Sequence, residues 1–450
     1  MENKTRGNWG TRIGFIAAAA GSAVGLGNIW KFPYITGMYG GAAFVIVYLL
    51  FVILICIPVM NSELLIGRLT GKNPVGAFKE LVPKSSWWIV GAMGVLAGFI
   101  ILSYYSVIGG WAVAYIFKSG AYMAAGAGTE QANVFVNFIT SPIAPIVWHA
   151  IFMAICIGIV MAGIEKGIEK YSRILMPSLV VLLLILILRS VTLPGAGKGL
   201  AFYLNPDFSK LSAEGILAAL GQAFFSLSLG MGCMITYGSY LKKDSNIPTD
   251  SYWISGADTL IAFLAGLMIF PAVFAFGLEP GAGPGLTFIT IPAVFASMGA
   301  IGHLFGIIFF LLLTVAAITS AISLLEVVCA YFIDEIKWDR KKATLIMGIT
   351  IFLLGVPSSL GQGVWSGVKI LAGRDILDSL DFVASNILLP LGGFLTLIFI
   401  GWFWGTDKAI KAGNEGSKGP ITLGNGYRFL VKYVAPIALF IVFLMKITEF

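Results

Sequence analysis

Charge is scarce in this chain. Only 11% of its 450 residues are Asp, Glu, Lys or Arg, while 58% are hydrophobic, and its mean hydropathy is +0.92. Ordinary soluble domains carry roughly 25% charged residues, so a water-soluble fold is excluded and a polytopic membrane protein remains. Histidine is scarcer still. His149 and His303 are the two present and lie far apart in sequence, which offers no metal cluster. The four cysteines (Cys56, Cys156, Cys233, Cys329) all fall inside apolar runs, so each reads as a buried free thiol and no disulfide framework is implied. No nucleophile–base pair or acidic pair stands out within the apolar runs, which argues against an intramembrane enzyme.

The apolar runs predict eleven spanning segments, near 12–36, 41–69, 87–117, 143–162, 168–188, 214–241, 250–277, 304–333, 343–357, 382–405 and 428–447. The first is too long for a signal sequence and lacks a cleavage site, so no cleavable leader is expected. The net charge of +7 points to orientation and not to nucleic acid. If the N-terminus lies inside, the inner loops hold most of the 29 basic residues, with Lys4, Arg6 and Arg12 before or at the first span and Lys337, Arg340, Lys341 and Lys342 after the eighth. That bias predicts a cytoplasmic N-terminus and, after eleven crossings, an extracellular C-terminus. The polar stretches 119–142, 189–213 and 406–427 read as loops. Pro280–Met298 is apolar but interrupted by glycine and proline, and reads as a re-entrant segment on the outer face.

Two of the apolar runs are broken by glycine. The first break is Gly21-Ser22-Ala23-Val24-Gly25-Leu26-Gly27-Asn28 and the second Ser226-Leu227-Ser228-Leu229-Gly230-Met231-Gly232. Each glycine costs a helix about 1 kcal/mol, and unwound backbone at membrane depth survives only against protein or a water-filled cavity. There its carbonyls suit cations and its free amides suit anions. Matched breaks in two halves of a chain point to a transporter's binding site. Close helix packing through small residues is the competing reading.

Further strings carry a resemblance. They are WGTR from Trp9, GSAVGLGNIWKFPY from Gly21, YGGAAF from Tyr39, ELLIGR from Glu63, QAFFSLSLGMG from Gln222, FITIPAVF from Phe288 and AITS from Ala317. In this order they resemble the neurotransmitter:sodium symporter family over nearly the whole chain. The short loops are similar to its bacterial, amino-acid-transporting branch, and within that to multi-hydrophobic amino-acid transporters. The resemblance implies an all-α integral membrane fold of eleven transmembrane helices. Its core would be an inverted 5+5 repeat with broken helices 1 and 6: first repeat 12–188, second repeat 214–405, and helix 11 (428–447) outside both.

It also implies a site. A second sodium site would join Gly21, Val24 and Ala316 carbonyls to the Thr319 and Ser320 hydroxyls; plain back-bonding of those hydroxyls within their helix is the alternative. A first sodium site would use Ala23, Asn28, Ser226, Asp258 and the substrate's carboxylate. Here the chain departs from the common pattern, since Asp258 stands where most members carry Asn and Ala262 where Ser or Glu is frequent. An acid within a span is functional by default. Substrate would meet Leu26, Gly27 and Tyr105 through its carboxylate, and Ala23, Phe225, Ser226 and Ser228 through its ammonium. Ile101, Ile108, Phe225, Met231, Ser320 and Leu324 would form the apolar side. Lys31 with Asp381 match an outer charge pair above a Phe225 lid; Arg6 with Asp334, near Trp9, Ser239 and Tyr240, match an inner one. Glu63 would cap amides freed by the second break. Glu326 has no assignable role. Gly167 and Pro177 bracket a stretch of helix 5 poised to unwind, because proline removes a helical donor and glycine loosens the other end.

The expected function is sodium-coupled symport of neutral hydrophobic L-amino acids such as leucine and tryptophan. Two Na+ sites, alternating access in the plasma membrane, chloride independence and proton antiport complete that expectation. A membrane receptor that binds without translocating is the alternative. No nucleic-acid partner and no catalytic activity are expected.

Overall fold

The computed structural model describes residues 7–126, 128, 130–278, 283–416 and 419–448. Among these, every regular element is a helix, and extended pairing is confined to two isolated bridges, Gly41 with Pro206 and Leu371 with Arg374. The first span is bent by 53° into α1a (Arg12–Ala23) and α1b (Gly27–Met38). Nine helices are long and apolar enough to cross a bilayer unbroken: α2 (Ala42–Thr70), α3 (Trp88–Phe117), α4 (Ala144–Met161), α5 (Ile164–Val191), α7 (Ile247–Ala275), α8 (Ala300–Asp334), α9 (Arg340–Leu360), α10 (Ile376–Asn414) and α11 (Asn425–Ile447). Between α5 and α7 lie α6a (Ala213–Ser226) and α6b (Cys233–Gly238), separated by the second glycine break. Counting each broken pair as one span, the arrangement is consistent with the eleven expected.

Some boundaries differ. α5 begins at Ile164 and not at 168, because Ile164–Glu169 winds as a π-helical turn. α10 runs to Asn414, past the expected 405. The stretches read as loops at 119–142 and 189–213 contain short helices, Ser119–Ala125, Glu130–Ile139 and Ala196–Leu204. They are too short for period-based reading to separate from polar loop. The re-entrant segment is an apolar helix over Leu286–Ser297, too short to span; its expected start at Pro280 lies outside the described residues.

Burial decides what is central. In its most apolar stretch α8 is 83% buried, against 28% for α5 and for α11. α8 packs on α3, α4 and α5, and α1a is held among α5, α7 and α8. α2 packs on both α6a and α6b. The four cysteines are buried and free. His149 pairs with Ser106 (2.7 Å) and His303 with Ser119 (3.2 Å), so each serves helix packing.

Candidate functional site

α1a ends where the glycine string predicts. Val24 turns extended (φ −73, ψ 105) while its amide still donates to the Ala20 carbonyl. Gly25 N donates to Asn28 Oδ1 (2.9 Å) and Leu26 N to the Tyr105 hydroxyl (3.2 Å), so side chains replace the missing helical partners. The second break is sharper. Ser228 sits at φ +54, and Gly230 and Gly232 both at φ +76, a region costly for most L residues. A Cβ on Gly230 would overlap the Leu389 carbonyl of α10, so both conformation and space require glycine there. Gly230 N donates to Glu63 Oε1 of α2 (2.8 Å), which places Glu63 against an amide freed by this break.

The breaks face one another. Ser228 Oγ donates to the Ser22 carbonyl (2.9 Å), and Ser22 Oγ donates to Ser323 of α8 (2.7 Å). Gln222 Nε2 donates to the Gly27 carbonyl (3.1 Å). Between them lies a pocket of about 30 Å³ lined by eleven of the twelve residues expected to meet substrate. Ile108 is the exception; it lines the cavity above. Ser22 and Gly25 also line the pocket and were not expected as contacts. The volume suits roughly one or two water molecules, so any larger ligand must displace side chains to enter. Phe225, shared with the cavity above, and the flexible Met231 are placed to yield.

Two oxygen clusters flank the pocket. Asp258, fully buried in α7, accepts from Asn28 Nδ2 (2.7 Å), from Ser226 Oγ (2.9 and 3.1 Å) and from the Tyr48 hydroxyl (3.3 Å). The sequence reading missed Tyr48, which comes from α2. On the other side, Ser320 Oγ lies 3.4 Å from the Gly21 carbonyl and 3.2 Å from that of Val24. Thr319 Oγ1 lies 3.5 Å from the Val24 carbonyl and 3.0 Å from that of Ala316. Thr319 also back-bonds to Val315 (3.2 Å), but the Ser320 contacts cross between helices, which back-bonding does not explain. Five hard oxygens from α1a and α8 thus converge, a donor set that suits a cation such as sodium.

The two faces of the bundle differ. On the face away from the N-terminus, a cavity of about 350 Å³ holds Lys31, Tyr104, Phe225, Asp378 and Asp381. The expected Lys31–Asp381 pair is not closed. Lys31 Nζ lies 5.2 Å from the Phe225 ring centre, while Asp381 accepts from Tyr104 (2.7 Å) and Ser385 (2.8 Å). With open volume between them, each charge takes a nearer partner. On the N-terminal face Trp9 Nε1 donates to the Tyr237 carbonyl (3.0 Å) and Trp9 N to that of Tyr240 (3.3 Å). Asp334 accepts from Asn73 N (2.8 Å) and Nδ2 (3.1 Å). Arg6, its expected partner, lies outside the described residues. The Ser239 hydroxyl donates to Thr236 (2.5 Å).

Glu326, unassigned from sequence, is the buried centre of this face. It accepts from Arg340 at 2.6 and 3.0 Å and from the Tyr240 hydroxyl at 2.6 Å, joining α8, α9 and the turn that follows α6b. Breaking one side of a buried pair costs about 3–5 kcal/mol. Arg340→Met is therefore expected to lower thermal stability markedly and Arg340→Met with Glu326→Met to restore most of it, as melting of the purified protein would read.

Comparison with known proteins agrees with this geometry. The Sodium:neurotransmitter symporter family model matches residues 6–131 and 141–450. A protein of Bacillus subtilis named uncharacterized sodium-dependent transporter YhdH is 41% identical, with 97% of this chain and 96% of that one aligned. The sodium-dependent serotonin transporter of Drosophila melanogaster is 28% identical over 99% of this chain and 77% of its own length. Among solved structures, that of MhsT in complex with L-phenylalanine superposes with a TM-score of 0.90 at 49% identity, covering 98% of this chain and 100% of MhsT. Broken helices, a buried pocket between them and whole-length matches converge: the chain belongs to the sodium:neurotransmitter symporter family.

Proposed function

We propose that this protein couples sodium entry to uptake of neutral hydrophobic L-amino acids across the plasma membrane by alternating access. Two Na+ ions would accompany the substrate, one at Ala23, Asn28, Ser226 and Asp258, the other at Gly21, Val24, Ala316, Thr319 and Ser320. The observation that carries this reading is the apolar pocket bounded by both helix breaks and flanked by these two oxygen clusters. Leu26 and Gly27 amides with the Tyr105 hydroxyl would take the substrate carboxylate. The apolar wall of Ile101, Met231 and Leu324 leaves a charged side chain nothing to pair with. The structure of MhsT, similar over the whole chain, holds L-phenylalanine, which supports a hydrophobic amino acid as cargo.

The first repeat would span 12–188 and the second 214–405, with the N-terminal face cytoplasmic and the C-terminus outside. Asp258 would supply the negative charge that balances the first sodium, making chloride unnecessary. Returning without sodium, a buried carboxylate is costly, so the acid would carry a proton back.

Sodium-driven uptake of labelled leucine and tryptophan into proteoliposomes tests the proposal. Binding of both without uptake would favour the receptor reading, and refusal of tryptophan would contradict the broad pocket.

The path for sodium release is proposed at the start of α5. In this structure 164–177 is wound, Ile168 N donating to the Gly163 carbonyl (3.0 Å), with Pro177 inside the helix. Unwinding there would bring water to the α1a–α8 oxygen cluster. A Cβ on Gly167 would overlap the Ile159 carbonyl, so alanine at 167 strains the packing and Pro177→Ala is the cleaner variant. It is expected to slow sodium release several-fold in stopped-flow measurements while leaving equilibrium binding unchanged. An unaltered release rate would remove the hinge.

A further inference from the structure

Glu169 takes no part in the ion or substrate clusters, yet it is 3% exposed and sits inside the bundle on the first turn of α5. Its carboxylate lies along the start of α1a. Oε2 accepts from Gly10 N (2.7 Å), and Oε1 accepts from Thr11 N (3.1 Å) and Thr11 Oγ1 (2.8 Å). Thr11 Oγ1 in turn accepts from Gly14 N (2.9 Å), capping the helix. A Cβ at Gly14 would overlap the Glu169 carboxylate, and one at Gly10 would press on it at 3.3 Å. The start of α1a is thus shaped to receive this acid. A negative charge at a helix N-terminus is favourable, and hydrogen bonds to it are stronger than neutral ones.

Other contacts hold the same turn by side chains. Arg12 Nε reaches Asp250 of α7 (2.7 Å), and Trp9 Nε1 reaches the Tyr237 carbonyl of α6b (3.0 Å). Glu169 differs in gripping the main chain of Gly10 and Thr11, from the very segment of α5 that Pro177 weakens. It cannot keep all three bonds if either helix start moves without the other.

We propose that Glu169 is a positioning residue for transport: a latch that holds the start of α1a closed against the cytoplasmic start of α5 until that segment loosens. Loosening of 164–177 withdraws the acceptor from Gly10 and Thr11, and α1a is then free to swing and open the N-terminal face. The latch rests on the proposed transport cycle; the α5 hinge is a separate link, tested by Pro177→Ala.

The test uses the full-length protein with a fluorophore pair at Ile13→Cys and Lys341→Cys. Both positions are exposed, whereas the native cysteines are buried. In saturating sodium and tryptophan, Glu169→Gln is expected to raise the population with a long label separation by about tenfold, as loss of charge-assisted bonds predicts. Gly14→Ala keeps the charge but displaces the carboxylate, and should act in the same direction; it decides the matter if Glu169→Gln does not fold. Unchanged separations in the folded variants would overturn the latch. If both variants open the face while Pro177→Ala leaves sodium release unaltered, the latch stands and the hinge falls. If only Pro177→Ala has an effect, the hinge stands and the latch falls.

Discussion

Gly25→Ala is expected to weaken substrate binding by about a hundredfold or more while leaving the protein folded. A Cβ at this position would lie 2.5 Å from Ser320 Oγ and 2.9 Å from the Tyr105 hydroxyl. Both are ends of side chains, so the bundle can yield locally, but overpacking of this kind costs about 1–3 kcal/mol. The strain falls on the group proposed to hold the substrate carboxylate and on a proposed sodium ligand at once. About 2.7 kcal/mol corresponds to a hundredfold change in affinity, and sodium affinity should fall alongside. Gly27→Ala is the control. There a Cβ meets Phe225 at 3.5 Å and Gln222 at 3.6 Å, ordinary contact distances, and the backbone amide is retained. Calorimetric or scintillation binding should find Gly27→Ala within a few-fold of the unaltered protein. Equal losses in the two variants would mean that the tight contact at Gly25 is not what shapes the pocket.

Asp258→Asn should remove most sodium-driven uptake in chloride-free medium. The amide keeps the shape but loses the charge: its oxygen can still accept from Asn28 Nδ2 and Ser226 Oγ, which lie 2.7 and 2.9 Å from Oδ1, but only as neutral bonds, and its NH₂ replaces the oxygen that accepts from the Tyr48 hydroxyl. Hydrogen bonds to a charged group contribute about 1.5–3 kcal/mol each, so the apparent sodium affinity should drop by roughly 10- to 100-fold. Added chloride should restore part of the uptake by supplying the missing negative charge, and the dependence of uptake on internal pH should flatten. Full uptake without chloride and an unchanged pH profile would show that this acid has neither role. Asp258→Ala is expected to do worse, since it strands Asn28, Ser226 and Tyr48 without their shared acceptor.

Much of the site was legible because its chemistry breaks a pattern. Glycines in an apolar run, and an aspartate in the seventh span, are visible against a background that makes both expensive. Depth was harder to read. Ile101 and Ile108 are two turns apart on one face of α3, so periodicity assigns them alike, yet about 10 Å of helix rise separates them. Ile101 reaches the pocket and Ile108 the cavity above it. Partners contributed by another helix were invisible for a related reason. Tyr48 meets Asp258 across 210 positions, and nothing in the run around Tyr48 marks it. Glu326 looked like an orphan because Arg340 belongs to the next helix, and only the turn after α8 folds it back. The open Lys31–Asp381 pair reflects the state of a cavity, which a residue pattern does not encode.

The second break also bears on how such a protein could be retuned. Gly230 is fixed by the Leu389 carbonyl and by Glu63, and the left-handed backbone at 230 and 232 resists any side chain. Between them, Met231 points its side chain into the pocket wall from a frame that α2 and α10 hold in place. Within this break, change in the shape of the pocket is thereby channelled to one residue, where bulk can be added or removed without disturbing the unwound segment. A designer seeking a narrower or wider transporter would begin at Met231 and leave the glycines alone.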